Sequence, residues 1–240
     1  MATSTQCYEN PPTLNSTCGA GNVEALGGFK TYVTGPADSK HAILLVSDVF
    51  GFEAPKLRKL ADKVGAAGFL VVVPDFLYGD PFDLTNPQFN REAWIALHTP
   101  GKGYEDAKLV IQGLKGRGVS AIGAAGFCWG AVVVSKVAAT EDIQAAVLLH
   151  PGRITVEEIS QVKVPMAILG AEIDQSFPSE QVKQYEEILS TKCKVDSFGK
   201  VYPGVAHGWT VRYNEEEEFA VKSAEEAHED MLNWFIKHVK

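Results

Sequence analysis

Along the chain, short runs of apolar and β-branched residues alternate with stretches in which apolar positions recur every three or four residues. That alternation predicts a mostly parallel sheet with helices on both faces. The first strong strand falls at residues 41–46, and a helix follows at 55–67, where Leu57, Leu60, Ala61 and Val64 share a face and Gly65 and Gly68 mark the end. Further strands are predicted at 69–73, 121–127, 145–149, 164–169 and 195–201, and further helices at 104–114, 131–139, 179–191 and 219–239. Residues 78–103 are rich in Pro, Asn and Asp around a helical island at 91–97, so they read as an excursion over one sheet edge, a kind of segment that often shapes a pocket. Residues 1–26 follow neither period and read as irregular. No repeat or linker divides the remainder, so 1–240 is expected to be a single α/β domain.

Composition narrows the function classes. Apolar residues make up 45% and charged residues 22%, the balance of a folded chain with a sizeable core. A formal net charge of −8 disfavours nucleic acid or an anionic membrane as a partner, since either is repelled at long range. The longest apolar runs, 42–46 and 69–73, are far shorter than the roughly 20 residues that span a bilayer. The first twenty residues show no basic region followed by an apolar core, so a cytoplasmic location is expected. Cys7, Cys18, Cys128 and Cys193 show no paired spacing, which points to neither a disulfide framework nor a zinc site. No metal or nucleotide motif appears, and no cofactor is implied.

In an open parallel sheet the ligand crevice lies beyond the carboxyl ends of the strands. After the 121–127 strand comes Gly126-Phe127-Cys128-Trp129-Gly130, a G-x-C-x-G match to the nucleophile elbow, in which flanking glycines make room for a strained turn. At the start of the next helix, Cys128 is expected to gain thiolate character from the helix dipole. Asp174 follows the 164–169 strand and His207 follows the 195–201 strand, which gives the chain order nucleophile, acid, histidine of an α/β-hydrolase. Cys128 would attack, His207 would move its proton, and Asp174 would fix the imidazole tautomer. The backbone N–H groups of Trp129 and Val49 are the expected oxyanion donors. Taken singly, each has a plainer reading: a small buried thiol, a helix-capping aspartate, a loop histidine.

These residues resemble those of the dienelactone hydrolases, including carboxymethylenebutenolidase-like members of animals and plants. The resemblance runs from about Gly27 and rests on Asp48-Val49-Phe50-Gly51, Val73-Pro74-Asp75 with Tyr78-Gly79, the cysteine elbow, and Ala206-His207-Gly208-Trp209. It implies hydrolysis of a small lactone or ester, with or without a carboxylate, through a thioester acyl-enzyme. It also implies that Asp48, where bacterial members carry glutamate, modulates the cysteine, and that Arg212 binds a substrate carboxylate; Arg91 is a looser match to a second family arginine. Phe50, Tyr78 and Trp209 are expected to line the substrate pocket, together with Phe52, Trp129 and Phe177. His150 ends the 145–149 strand on the same side, Cys193 reads as a bystander, and Glu215, Glu216, Glu217 and Glu218 offset the dipole of the last helix.

Two other functions stay open at this level. Plant members of the family bear the name endo-1,3;1,4-β-D-glucanase, a glycosidase reading in which Asp48 would pair with Glu53, Asp75 or Glu172. A non-catalytic small-molecule receptor on the same fold is the other.

Overall fold

The computed structural model describes residues 5–240, so the first four residues of the expected irregular segment lie outside it. Eight strands form one sheet: β1 (Asn22–Leu26), β2 (Phe29–Thr34), β3 (His41–Val46), β4 (Leu70–Pro74), β5 (Ala121–Phe127), β6 (Ala145–Leu149), β7 (Met166–Ile173) and β8 (Ser197–Ala206). Their order is β1-β2-β4-β3-β5-β6-β7-β8; β1 and β2 pair antiparallel at one edge, and all pairs from β4 to β8 are parallel. The helices are α1 (Pro55–Ala66), α2 (Arg91–Leu97), α3 (Pro100–Gly116), α4 (Trp129–Val137), α5 (Val156–Ile159), α6 (Ser179–Ile188) and α7 (Glu218–His238).

The central strands are apolar through their middles because both sheet faces are covered there. On one face Leu44, Val46, Val72, Leu148 and Ile168 pack under Val110, Leu114, Val133, Val137 and Tyr185 from α3, α4 and α6. On the other, Ile43, Leu45, Val71, Ala125 and Val147 meet Leu57, Leu60, Ala227, Met231 and Phe235 from α1 and α7. Each fully buried Leu, Ile or Phe removes enough apolar surface from water to be worth roughly 1.5–3 kcal/mol, so the central strands are the rigid part on which a site can be mounted.

Several differences from the expected elements have local causes. α3 begins at Pro100, earlier than predicted, because Thr99 caps it, its hydroxyl accepting from Lys102 N–H at 3.2 Å, and proline suits the first turn. α5 was not anticipated; its four residues are held by a capping box between Thr155 and Glu158. α6 ends at Ile188 and runs into a π turn at Leu189–Cys193. β7 and β8 extend beyond the predicted ends to Ile173 and Ala206, with a bulge between Ala171 and Ile173. Asp174 and His207 are therefore the first residues after two neighbouring strands.

The amino-terminal segment is not irregular throughout. Thr5–Tyr8 forms a 3₁₀ turn with Gln6, Cys7 and Tyr8 buried, and Asn22–Leu26 is the edge strand. Two buried arginines hold the segment. Arg58 Nη1 donates to the carbonyls of Ser16 and Cys18 at 2.9 and 3.2 Å, and Arg212 Nη1 donates to those of Cys7 and Glu9 at 3.2 and 2.7 Å. Among the described residues, no helix is long and apolar enough to cross a membrane.

Candidate active site

The turn from β5 into α4 has the geometry its glycines predict. Cys128 sits at φ 52°, ψ −109°, a conformation that costs a non-glycine residue about 1–3 kcal/mol. A Cβ at Gly126 would overlap the Gly130 carbonyl, and one at Gly130 would overlap the Val46 carbonyl, so both positions require glycine. The turn is locked by Cys128 N–H donating to Leu149 O at 3.2 Å and by Gly152 N–H donating to Cys128 O at 2.9 Å.

At the ends of β7 and β8, the His207 and Asp174 side chains are fully buried and joined by a 2.6 Å hydrogen bond from Nδ1 to Oδ2. The other Asp174 oxygen accepts from Ser176 N–H at 2.8 Å and Phe177 N–H at 3.1 Å, which fixes the carboxylate plane. Burial opposes protonation of His207, yet its bond to Asp174 and the nearby Cys7 sulfur hold it above the ordinary histidine range. Among the described residues His207 Nε2 has no hydrogen-bond partner.

Cys7, to which the sequence assigned no role, lies in this cluster. Its sulfur, that of Cys128 and a ring nitrogen of His207 are all within 4.8 Å of one another, and Ser176 Oγ is 3.1 Å from Cys7 Sγ. The two thiols titrate as a pair. Cys7 is lowered to about 4 by the Cys128 thiol and, after burial acting the other way, by His207. Cys128 is pushed well up, first by its bond to Cys7 and then by burial. The thiolate expected at Cys128 from the helix dipole alone thus meets a second sulfur that disfavours it there. All four cysteines are free thiols.

A cavity of about 280 Å³ opens beside the nucleophile elbow. Cys128, Trp129 and Val49 border it, so the expected oxyanion donors and the nucleophile share one space. Trp129 is anchored by its indole N–H donating to His98 O at 2.8 Å. The remaining wall comes from Cys7 and Tyr8 of the amino-terminal turn, Trp94 and His98 of the 78–103 excursion, Ser176, and Arg153.

The other expected site residues are arranged differently. Asp48 is buried with Oδ2 3.3 Å from Arg212 Nε, and its Oδ1 accepts from Phe50 N–H at 2.9 Å. Burial raises its pKa, against the opposing pull of Arg212. Its charge in turn adds to the forces that disfavour a Cys128 thiolate. Arg212 does not border the cavity: its guanidinium lies 5.4 Å from the centre of the Phe50 ring and spends its donors on the amino-terminal turn. Phe50 borders a separate depression with Glu53 and Asp75. Tyr78 is half exposed and donates to Asp106 Oδ2 at 2.7 Å, and Trp209 is buried against Tyr202 and His150, so neither reaches the cavity. Arg91 stacks on Tyr8 at 4.6 Å and supports the wall. Phe52 and Phe177 are core. His150 is fully buried with Nε2 2.8 Å from Thr210 Oγ1 and its ring 5.1 Å from that of His207.

Of the carboxylates considered for a glycosidase pair, Glu172 accepts from Gly204 N–H at 2.7 Å, Asp75 accepts from Leu77 N–H at 3.2 Å, and Asp48 faces Arg212. None of them borders the cavity beside Cys128.

Sequence reasoning missed Cys7, Tyr8 and Arg153. Nothing local marks the first two, because their role depends on the amino-terminal segment crossing to the far end of the sheet. Arg153 was within reach of the strand-end rule, since it follows β6 in the run His150-Pro151-Gly152-Arg153.

Comparisons with known proteins bear on the family and the fold. The sequence profile of the dienelactone hydrolase family matches residues 29–239. A Zea mays protein named "Endo-1,3;1,4-beta-D-glucanase" is 40% identical over 196 residues, covering 79% of this chain and 63% of the maize protein, so the chain spans less than two thirds of that relative. The Mus musculus "Carboxymethylenebutenolidase homolog" is 32% identical over 226 residues, covering 92% of each. Among solved structures, a putative dienelactone hydrolase from Klebsiella pneumoniae superposes with a TM-score of 0.71 at 21% identity, covering 87% of this chain and 92% of the other.

Proposed function

Starting from the fact that the chain belongs to the dienelactone hydrolase family, we propose that it hydrolyses small esters or lactones through a thioester acyl-enzyme on Cys128. The observation that carries the reading is the buried His207–Asp174 pair at 2.6 Å beside the strained Cys128 elbow. In this scheme substrate enters the cavity, and the Cys128 thiol passes its proton to His207 Nε2 as the sulfur attacks the carbonyl carbon. The tetrahedral oxyanion is held by the Val49 and Trp129 N–H groups. Collapse expels the alcohol, which takes the proton from His207. Water, deprotonated by His207, then cleaves the thioester and releases the acid.

Arg153, exposed at the cavity wall, is the group on this chain best situated to receive a substrate carboxylate. Arg212, the residue the family resemblance suggested, has its cation committed to Asp48 and to backbone carbonyls. The cavity is also walled largely by apolar and aromatic side chains, which suits a compact acyl or lactone ring better than a polysaccharide chain.

The test is Cys128→Ala assayed on p-nitrophenyl acetate and on mixed-linkage β-glucan. Loss of ester turnover with an unchanged circular dichroism spectrum is expected, with no reducing sugar released by either protein. Glucan hydrolysis that survives in Cys128→Ala would replace this mechanism by a glycosidase one, and ester hydrolysis at the original rate would remove Cys128 as nucleophile.

A further inference from the structure

The scheme above needs one sulfur, and the site holds two. Cys7 Sγ, Cys128 Sγ and a ring nitrogen of His207 lie within 4.8 Å of one another, all three residues are buried, and they come from three distant parts of the chain. His207 Nδ1 is engaged by Asp174 at 2.6 Å, which leaves Nε2 as the nitrogen without a partner.

Two thiol sulfurs and an imidazole are a soft donor set. In a tetrahedral zinc site sulfur sits at about 2.3 Å and imidazole nitrogen at about 2.0–2.1 Å from the ion, which places neighbouring donors roughly 3.5–3.8 Å apart. The donors here would need to close by at most about 1.3 Å to reach that spacing. A Cys7–Cys128 disulfide asks for more movement, since bonded sulfurs are about 2.05 Å apart. The surroundings also match those of a metal-binding histidine, whose second nitrogen is characteristically hydrogen-bonded to a carboxylate that sets its tautomer and orientation. Asp174 already does this for His207. The cavity, bordered by both Cys7 and Cys128, supplies an entry path and room for a fourth ligand such as water.

We propose that Cys7, Cys128 and His207 form a binding site for a thiophilic divalent cation of the zinc class, and that occupancy of the site switches the hydrolase off. On binding, metal–sulfur bonds form at Cys7 and Cys128 and a metal–nitrogen bond at His207 Nε2. Whatever protons the thiols and His207 Nε2 hold pass to solvent, and no electrons are transferred. The inhibition rests on the hydrolase reading, because the ion would occupy both nucleophile and base. The binding itself does not.

The untagged full chain, kept reduced and free of oxygen, is titrated with cobalt(II) as a spectroscopic stand-in for zinc. One cobalt per chain is expected, with a thiolate-to-metal charge-transfer band in the near ultraviolet and the visible bands of a tetrahedral ion, all abolished by added zinc. Cys7→Ser should weaken cobalt binding at least about tenfold and Asp174→Asn about 10–100-fold, the range for loss of a carboxylate behind a ligating histidine. Cys18→Ser and Cys193→Ser should leave the spectrum unchanged, and zinc should inhibit ester turnover of the parent chain at the concentration that displaces cobalt. A tetrahedral signal that is absent, or equally strong in Cys7→Ser and Cys128→Ser, overturns the site. If cobalt binds as described while Cys128→Ala keeps full esterase activity, the metal site stands and the hydrolase reading fails. If cobalt does not bind while Cys128→Ala is inactive, the reverse holds.

Discussion

Two regions of this molecule meet at the cavity, and they are built by different means. Cys128, Asp174 and His207 each follow directly on a parallel strand, so their backbones are set by the hydrogen-bonded ladders of the sheet. The opposing wall belongs to no strand: Cys7 and Tyr8 arrive on a 3₁₀ turn, and Trp94 and His98 come from the 78–103 excursion. That wall is held by cations, with Arg212 gripping the carbonyls of the turn and Arg91 stacked on Tyr8. The difference separates two jobs. The sheet fixes the chemistry, while the cover decides what reaches it, and each should be separable by mutation.

The largest effect is expected on the sheet side. Asp174→Asn keeps the size of the side chain but can donate to His207 Nδ1, which stabilises the wrong tautomer, and kcat on an activated ester should fall about 10⁴-fold with little change in KM. A loss smaller than tenfold would mean that the His207–Asp174 pair is structural.

On the cover side, Arg212→Met should act on stability before chemistry. It leaves the Asp48 carboxylate buried without its cation, a change that costs about 3–5 kcal/mol when one partner of a buried pair is removed. Urea denaturation should register that loss, limited proteolysis should cut ahead of β1 sooner, and adding Asp48→Asn should recover part of the stability. If stability changes by less than about 1 kcal/mol, Arg212 is not what holds the turn.

The smallest effect concerns selection at the mouth. Arg153→Ala should raise KM for a carboxylate-bearing lactone by about tenfold or more relative to p-nitrophenyl acetate, consistent with loss of a charge-assisted hydrogen bond worth roughly 1.5–3 kcal/mol. Equal KM changes for the two substrates would assign carboxylate recognition elsewhere.

The same division explains what could be read from the sequence. The bounds of β3, β5 and β6 match the predicted strands, because strands covered on both faces are continuous apolar runs between turn residues. Asp174 and His207 were legible because a carboxylate and a histidine followed two such runs in the order the fold requires. The ends of β7 and β8 were missed because the bulge at Ala171–Ile173 and the polar positions of β8, at the sheet edge, break the apolar pattern. Cys7 was out of reach for a different reason. Its neighbours Cys128, Ser176 and His207 lie far along the chain, and no periodicity or spacing encodes a contact made by one turn crossing the sheet. Arg212 was placed correctly in the chain but assigned the wrong partner, since residue type cannot tell a cation facing substrate from one facing carbonyls.

His150 has one more consequence. It is fully buried at the end of β6, its backbone at φ 36°, with Phe127, His207 and Trp209 around its ring. Burial, and then the nearby charge of His207, hold its pKa far below the ordinary histidine range. A second buried histidine, His228, sits behind it on the Thr210 carbonyl and is lowered to about 4, again chiefly by burial. Two imidazoles whose burial disfavours protonation are thus linked through Thr210, one of them 5.1 Å from the His207 ring. In the language of circuits they are insulation on one side of His207, whose other neighbours are Asp174, the Cys7 sulfur and an open depression shared with Trp209 and Arg212.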